Sequence, residues 1–414
     1  MVEADALKPL YLREAVNRSA DATAPRELQM VIITSKFCNL RCRYCYEFPD
    51  LGNRQAISPE QLQHMYRSIN DHYSQLDRPT AIEFVWFGGE PLLLGPQFYW
   101  RTFDEQTRIF DAPKVTVTNV VQTNLTALKE PLIKLLSEGF DGVGVSIDLF
   151  SGLRVNTKGI DLQSTVLKNM DRLRQAGVPY GCITVLSRRN IASLRKIFHF
   201  FSEASISARI VPVYRGADDT QNDIDSLSEE ETLQALIDLF EMWIETSAPI
   251  IIEPLYSLSL GLIRALNGNN RSRYDKREWE SLYVVNTDGN LYSYSDQFDV
   301  SLSHGNLFNE SMHAMVNGAG HQRAILAAER RIAATCTECR HYGRSCSGYP
   351  VAEESPGRRD SKPHGEGAAC TRERGILDYI ERRLPELGVV DHTGCLDPKS
   401  KYFHHFDPTL RIRM

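Results

Sequence analysis

Through the first half of the chain, short apolar runs alternate with segments whose apolar residues recur with the period of an α-helix. The first run, Met30–Thr34, is largely β-branched, and five similar runs follow it, each separated from the next by a helix-like segment. Capping boxes at Ser58–Gln61 and Ser228–Glu231 mark the starts of two helices. Strands that alternate with helices are typical of parallel sheets with helical crossovers. We therefore predict an α/β fold with a partial (β/α)6 TIM-like barrel over residues 29–215.

The second half of the chain has a different pattern. Residues 216–275 are predicted as a helical linker, and two alternating runs then flank Asp288-Gly289, which predicts a β-hairpin. With the helices that follow, residues 276–388 are predicted as a small α+β domain. Residues 1–28 form an N-terminal arm with no sustained period. Residues 389–414 form a tail that either covers the active site or packs on the surface, and its aromatic residues favour packing.

Composition and charge narrow the functional classes. The 414 residues are 42% hydrophobic and 24% charged, as in an ordinary globular protein. A net charge of −6 without a basic run argues against a nucleic-acid partner, and no apolar run is long enough to span a membrane. The first residues lack the pattern of a signal peptide. Seven of the nine cysteines fall in two clusters, which favours metal ligation in a reducing compartment. We expect a cytoplasmic protein.

The first cysteine cluster follows the first predicted strand. Cys38, Cys42 and Cys45 have the spacing C-x3-C-x2-C. Three thiolates on one loop can hold an iron–sulfur cube and leave one iron without a protein ligand. A zinc loop, which normally needs a fourth ligand nearby, and a chance group of thiols are the alternatives.

Polar and glycine-containing motifs follow the next predicted strands. The C-terminal ends of parallel barrel strands meet at one mouth, so these motifs should lie near the cysteine loop. A glycine pair alone is typical of a turn, and a lone arginine is typical of a surface. The motifs are Gly88-Gly89-Glu90-Pro91 after the second strand, Gln122 and Asn124 at the end of the third, Ser146 and Asp148 (an S-x-D motif) at the end of the fourth, and Arg154 in the loop that follows.

The cysteine spacing and these motifs resemble the radical SAM superfamily. The resemblance implies a 4Fe-4S cluster whose open iron binds the amine and carboxylate of S-adenosyl-L-methionine. It places the Tyr44 ring against the adenine and assigns the methionyl amine to the Gly-Gly-Glu motif. It further assigns the ribose hydroxyls to the S-x-D motif and the methionyl carboxylate to Arg154. Gln122 and Asn124 are expected to face the same mouth as cofactor-binding side chains.

The second cluster comprises Cys336, Cys339, Cys346 and Cys370. With the hairpin before it and the helix after it, the cluster resembles the SPASM extension of radical SAM enzymes, which ordinarily holds two auxiliary 4Fe-4S clusters. Cysteines expected near the start of the hairpin and at the positions of Tyr294 and Pro350 are absent. The resemblance therefore implies one catalytic and one auxiliary 4Fe-4S cluster. Four thiolates also suit structural zinc, and the spacing does not separate the two.

The resemblance implies a function as well as a fold. SPASM proteins mostly act on ribosomally made peptides or protein side chains, so we expect a precursor peptide as substrate and an oxidative intramolecular crosslink of cyclophane or ether type as product. A flavodoxin or ferredoxin would supply the electron. Asp296 is a candidate catalytic base and equally a solvated loop carboxylate.

Three alternatives remain open at this point. One is sulfatase-maturase-like formation of formylglycine, and another is dehydrogenation of a small alcohol. The third, from a different class, is a binding protein that carries zinc or a cluster without chemistry. The strand-end motifs argue against this last alternative, because a scaffold needs no nucleoside pocket.

Overall fold

The computed structural model describes most of the chain, and most of the predicted N-terminal arm lies outside the described part. No helix among the described residues is long and apolar enough to cross a membrane. The described residues are 25–111, 113–213, 224–270, 273–293, 298–348 and 370–406.

Six parallel strands form the first part of the fold. Each strand pairs with the next in chain order, and Ile32 lies opposite Trp86 in the first pair. The predicted partial barrel is therefore confirmed. The strands are β1 (Arg26–Ile33), β2 (Thr80–Phe87), β3 (Val115–Thr123), β4 (Gly142–Ser146), β5 (Gly181–Leu186) and β6 (Ala208–Pro212).

Crossover helices cover the outer face of this sheet. They are α1 (Pro59–Tyr73), α2 (Pro96–Ile109), α3 (Glu130–Glu138), α4 (Gln163–Gln175) and α5 (Leu194–Glu203). The capping box predicted at Ser58 is present, because the Ser58 hydroxyl accepts from the Gln61 amide and the Gln61 side chain accepts from the Ser58 amide. Alternate strand residues point outward into an apolar core, where the Trp86 ring lies 5.5 Å from the Tyr99 ring. The opposite face of each strand, and the loops at its C-terminal end, remain available for a site.

The sheet continues beyond the six strands at both edges. Strand β7 (Ile252–Glu253) pairs in parallel with β6, and the predicted hairpin, β8 (Leu282–Val285) and β9 (Leu291–Tyr292), joins the other edge. Here β8 pairs in parallel with β1, with Val284 opposite Val31. The nine strands therefore form one sheet in the order β7-β6-β5-β4-β3-β2-β1-β8-β9. The hairpin is built directly onto the strand that leads into the cysteine loop.

The remaining helices surround the two sheet edges. They are α6 (Glu229–Glu245), α7 (Leu255–Leu266), α8 (Met312–Val316), α9 (Ala319–Thr335) and α10 (Thr371–Glu386). Helix α10 packs on α6 and α7. The described part of the tail packs on α6, where the Phe406 ring lies 5.7 Å from Trp243 and the Tyr402 hydroxyl donates to Glu245.

Candidate active site

The cysteine loop begins directly after β1, at the mouth of the partial barrel. Cys38 and Cys42 are buried and Cys45 is half-buried. Backbone groups from distant segments hold the loop. The Cys38 amide donates to the Leu51 carbonyl (3.1 Å), and the Arg41 amide donates to the Val155 carbonyl (2.7 Å). The three thiols are therefore fixed by main-chain geometry.

The glycine pair packs against this loop. The Gly89 amide donates to the Ser35 carbonyl (2.9 Å), and the Glu90 amide donates to the Phe37 carbonyl (3.0 Å). A Cβ added at Gly88 or Gly89 would lie under 3.0 Å from backbone atoms of residues 35–37. The glycines thus allow the loop after β2 to touch the backbone that leads into the cysteines, a contact that the sequence does not reveal.

The Glu90 carboxylate joins the end of β3 to the same loop. Its oxygens accept from the Thr123 hydroxyl and the Asn124 amide, both at 2.7 Å, and the Asn124 side chain donates to the Cys38 sulfur at 3.7 Å. Burial raises the pKa of Glu90, and its hydrogen bonds oppose that shift. The Asn124 amide group also donates to the Asn39 side chain (3.0 Å), a partner that the sequence analysis missed because asparagines carry no recognisable pattern. The motif is therefore connected to a candidate cluster ligand.

Tyr44, Asp148 and Arg154 come together across the mouth. The Tyr44 hydroxyl donates to Asp148, and the Arg154 guanidinium donates to the Tyr44 oxygen (2.8 Å) and lies 3.5 Å from Asp148. The other Asp148 oxygen accepts from the Val185 amide (2.7 Å). Burial is the main cause of the raised pKa of Tyr44, the nearby Arg154 charge opposes it, and the carboxylate of Asp148 adds to it. These three residues, far apart in sequence, form one charged unit.

Gln122 and Ser146 lie on neighbouring strands at the same mouth. The Gln122 amide group donates to the Ser146 hydroxyl (2.7 Å). Among the described residues, Gln122 Oε1 and Arg154 Nε are buried without a hydrogen-bond partner. A buried acceptor and a buried donor left unpaired are costly, unless a ligand completes them. The side chains present therefore fit a polar cosubstrate at this mouth.

Burial disfavours the thiolate form of the three loop cysteines. Burial, the largest effect, raises the pKa of Cys38 to about 11 and that of Cys45 to about 12. Burial likewise raises the pKa of Cys42, although the Arg154 charge opposes the shift. Thiolates form at such a site when a metal supplies the positive charge. The donor set is consistent with an iron–sulfur cluster.

The second cysteine set lies between α9 and α10. Cys336 caps the C-terminus of α9, and the Cys339 amide donates back to its carbonyl (2.9 Å). Cys346 follows in a tight loop, and Cys370 is the N-cap of α10. Loss of water, the Glu373 charge and the other three thiols raise the pKa of Cys370. This mutual interaction indicates that the four cysteines converge.

The distances between possible metal-ligand atoms determine whether a single zinc ion fits a site. In the described part of the chain, the group of His, Cys, Asp or Glu ligand atoms that lie within 4.8 Å of one another is His341, Asp378 and Glu381. Four sulfurs around one zinc ion, each at about 2.3 Å from it, would lie about 3.8 Å apart. No three cysteine sulfurs of the described residues lie as close together as the atoms of this group.

The His341, Asp378 and Glu381 group is an ion-pair network. His341 Nε2 lies 2.8 Å from Asp378, and the Arg340 guanidinium donates to Asp378 and to Glu381, both at 2.6 Å. Arg344 lies 3.0 Å from Glu381. These bonds tie the loop of Cys339 and Cys346 to α10, and so to Cys370. Arginines already satisfy the carboxylates, which makes the network a clamp for the second cysteine set.

The hairpin carries a buried polar network where the sequence lacks further cysteines. Lys276 pairs with Glu280, whose carboxylate accepts from the Ser293 hydroxyl (2.9 Å). Ser293 also lies 2.8 Å from His304, and His321 of α9 lies 3.5 Å from Glu280. All five side chains are buried. The predicted residues Tyr294, Asp296 and Pro350 lie outside the described residues.

Comparisons with known proteins identify a family profile and several relatives that this chain resembles. The Radical SAM superfamily profile matches residues 32–201. A cysteine-type anaerobic sulfatase-maturating enzyme from Clostridium novyi is 22% identical over 89% of this chain and 98% of its own length. A serine-type anaerobic sulfatase-maturating enzyme from Klebsiella aerogenes is 30% identical over 39% of this chain and 40% of its own length.

Solved structures show the same fold. The structure of anSMEcpe with bound AdoMet and Cp18Cys peptide covers 87% of this chain and 98% of its own, with a TM-score of 0.67 and 20% identity. Streptococcus suis SuiB bound to its precursor peptide SuiA covers 73% of this chain and 67% of its own, with a TM-score of 0.50 and 12% identity. The cysteine loop and the strand-end residues lie within or directly beside the matched superfamily region. Residues 32–201 of this enzyme therefore form a radical SAM domain, and the chain shares its overall fold with anSMEcpe.

Proposed function

We propose that this enzyme is a peptide maturase that acts on a ribosomally made peptide. It removes two hydrogens from the side chains of the peptide and joins those side chains in a cyclophane or ether crosslink. The convergence of the three thiols of the cysteine loop with Tyr44, Asp148 and Arg154 at the barrel mouth carries this proposal. The comparisons support the broader class of radical SAM maturase, since the neighbours include structures with bound peptides.

The residues present fit two 4Fe-4S clusters and S-adenosyl-L-methionine. Cys38, Cys42 and Cys45 would hold the catalytic cluster, and Cys336, Cys339, Cys346 and Cys370 the auxiliary one. When bound, these cofactors supply a 5′-deoxyadenosyl radical that takes one hydrogen atom, and an acceptor for one electron. The second hydrogen leaves the peptide as a proton. The overall reaction is then balanced, because one electron enters from a flavodoxin or ferredoxin and one leaves.

The chain's own residues bind and orient the cosubstrate in this proposal. Arg154, which has an unpaired Nε, would bind the methionyl carboxylate, as guanidinium groups do with good geometry. The Gln122 oxygen would accept a hydrogen bond from the cosubstrate. Because Asp148 and Tyr44 already hold Arg154, little order is lost on binding.

A second candidate is oxidation of a protein cysteine or serine to formylglycine. The relatives favour it, since the Clostridium novyi protein that this chain matches over 98% of its length is a sulfatase-maturating enzyme. Against it stands the cysteine set, which supports one auxiliary cluster. In the described part of the hairpin, Glu280 and Ser293 occupy a buried polar network instead of further thiols.

Product analysis separates the two candidates. The reconstituted, reduced enzyme would be incubated with S-adenosyl-L-methionine and candidate peptides, with the Cys42→Ala variant as control. We expect 5′-deoxyadenosine and a peptide that has lost two hydrogens, resists fragmentation between the joined residues and does not react with a hydrazide. A hydrazide-reactive product indicates formylglycine, and a gain of oxygen or an epimerised residue contradicts the crosslink.

A further inference from the structure

The auxiliary cysteine set has a charged side chain beside one of its sulfurs. Arg331, in the last turns of α9, places Nη1 at 3.9 Å from the Cys336 sulfur. Its Nη2 donates to the Gly348 carbonyl at 2.7 Å, which fixes the guanidinium on the sulfur. At the other site, the donors to the Cys38 sulfur are the Leu40 amide (3.3 Å) and the Asn124 side chain (3.7 Å), and both are neutral.

The backbone around Arg331 is shaped for this contact. The Gly348 amide lies 3.4 Å from the Cys346 sulfur. Gly348 therefore contacts Cys346 directly, and its carbonyl holds the arginine that lies beside Cys336. Gly348 has φ of +77°, and a Cβ there would lie 2.8 Å from the Tyr342 ring and 3.4 Å from the Cys336 sulfur. Only glycine combines this conformation with so close an approach. The carbonyl that holds Arg331 therefore has a defined position.

Helix α9 makes a positive charge at this point useful. Cys336 caps its C-terminus, where the carbonyl ends of the helix dipole carry partial negative charge. That field disfavours additional negative charge on the sulfurs. The Arg331 guanidinium beside Cys336 opposes the field of the helix dipole at this cysteine, which lies at the end of the helix.

We propose that Arg331 is a positioning residue for the auxiliary cluster, and that its fixed charge raises the cluster's reduction potential so that the cluster accepts an electron more readily. This inference rests on the proposed function, which places a 4Fe-4S cluster on these four cysteines. The step concerned is gain of one electron by the cluster, with no bond or proton transferred. Because the reduced cluster carries one more negative charge, a cation near a ligand sulfur stabilises it more than the oxidised cluster.

A merely structural role for Arg331 would consist of tying α9 to the loop at Gly348. Two substitutions separate the roles. Arg331→Gln keeps a donor of hydrogen bonds but removes the charge, whereas Arg331→Lys keeps the charge but cannot hold the sulfur and the carbonyl with one planar fork. The matched control is Arg330→Gln, because Arg330 is the exposed neighbour on the same helix and donates to its own helix at the Leu326 carbonyl (3.2 Å).

The experiment measures the midpoint potential by electron paramagnetic resonance during a redox titration. A Cys38→Ala, Cys42→Ala, Cys45→Ala background isolates the auxiliary cluster. We expect the potential to fall clearly in Arg331→Gln, to fall less in Arg331→Lys, and to stay unchanged in Arg330→Gln. Equal potentials in the background protein and Arg331→Gln would overturn the inference.

Two further outcomes are distinguishable. If the background protein itself binds no iron and gives no signal, the auxiliary cluster of the proposed function is wrong, and the role of Arg331 falls with it. If only Arg331→Gln fails to assemble a cluster, a second uncharged variant of similar length, Arg331→Met, decides the question. A potential in Arg331→Met equal to that of the background protein would then show that the charge has no effect and overturn the inference.

Discussion

The two cysteine sites are held in place by different forces. The loop of Cys38, Cys42 and Cys45 is fixed by backbone hydrogen bonds to three other segments and by glycines that touch its backbone. The second set is fixed by charged side chains, through which Arg340, His341 and Arg344 clamp its loop to α10. The first site should therefore respond to backbone and steric changes, and the second to changes of charge. A site that must bind a cosubstrate beside its cluster has its charged groups committed to that cosubstrate.

The largest effect is expected from Cys42→Ala. This change removes one of the three proposed cluster ligands, so cleavage of S-adenosyl-L-methionine should stop. The auxiliary site should keep its iron, and total iron should fall by about half. Anaerobic assay of 5′-deoxyadenosine and iron analysis test this, with Cys395→Ser in the exposed tail as the control. An unchanged 5′-deoxyadenosine yield would refute the catalytic assignment.

The second largest effect is expected from Gly89→Ala, which tests whether close packing of this glycine positions the cysteine loop. Gly89→Ala places a Cβ under 3.0 Å from the Lys36 and Phe37 carbonyls, so the cysteine loop must shift and the catalytic cluster should assemble poorly. Gly52→Ala is the matched control, because a Cβ there meets nothing within 4 Å. Iron content and 5′-deoxyadenosine yield should drop several-fold in Gly89→Ala alone. Equal behaviour of the two variants would show that the glycine pair does not position the loop.

The clamp of the second site gives the converse prediction. Asp378→Ala removes the shared partner of Arg340 and His341, so the loop of Cys339 should detach from α10 and the auxiliary iron should be lost. The control is Glu329→Gln on α9, which removes the charge of an exposed ion pair between Glu329 and Arg277 (2.8 Å). Iron analysis in the background without the first three cysteines measures the outcome. Retention of full iron in Asp378→Ala would mean that backbone contacts hold this site too.

A smaller effect is expected within the first site from Tyr44→Phe. The change keeps the ring but removes the hydroxyl that joins Asp148 to Arg154. A lost hydrogen bond to a charged group should weaken S-adenosyl-L-methionine binding about tenfold while iron content stays constant. Equilibrium dialysis measures the affinity, and Arg188→Gln, at an exposed pair with Glu231, is the control. An unchanged affinity would limit Tyr44 to packing against the cosubstrate.

The sequence predicted the parts of the molecule that follow from local pattern. The six strands and the capping boxes at Ser58 and Ser228 follow from periodicity and helix-start chemistry, and all lie close to their predicted positions. The strand-end motifs were predicted at one mouth because parallel strands end together. The gathering of Tyr44, Asp148 and Arg154 is consistent with that expectation.

Contacts between distant segments could not be predicted in this way. The pairing of β8 with β1 joins residues about 250 positions apart, and no local pattern records it. The contact of Gly89 with the cysteine loop and the contact of Arg331 with Cys336 depend on how loops pack in three dimensions. A glycine pair and an arginine on a helix have many ordinary explanations when only the sequence is known.

The buried network of the hairpin offers the smallest and most graded test. Burial, with the neighbouring His321, lowers the pKa of His304 to about 3, although the Glu280 charge opposes the shift. Lys276 and other partners lower the pKa of Glu280 to about 2, against the effect of its burial. Both groups therefore bind protons more readily in the unfolded chain. Stability from His304 is present above pH 6.5 and is lost as pH falls toward 3.

This sign predicts a specific pH window. Between about pH 7.5 and 5.5 the loss should come from His304, together with His72, whose pKa burial lowers to about 4. Glu280 should not contribute, since carboxylates stay ionised there in both states. The free energy of unfolding, measured with urea, should fall over this range by no more than about 1.4 kcal/mol per pH unit for each group, and His304→Asn should reduce the slope. His392→Asn in the exposed tail is the control. If His304→Asn kept the parent's slope, the hairpin would owe its stability to the Lys276–Glu280 pair and not to a neutral histidine beside it.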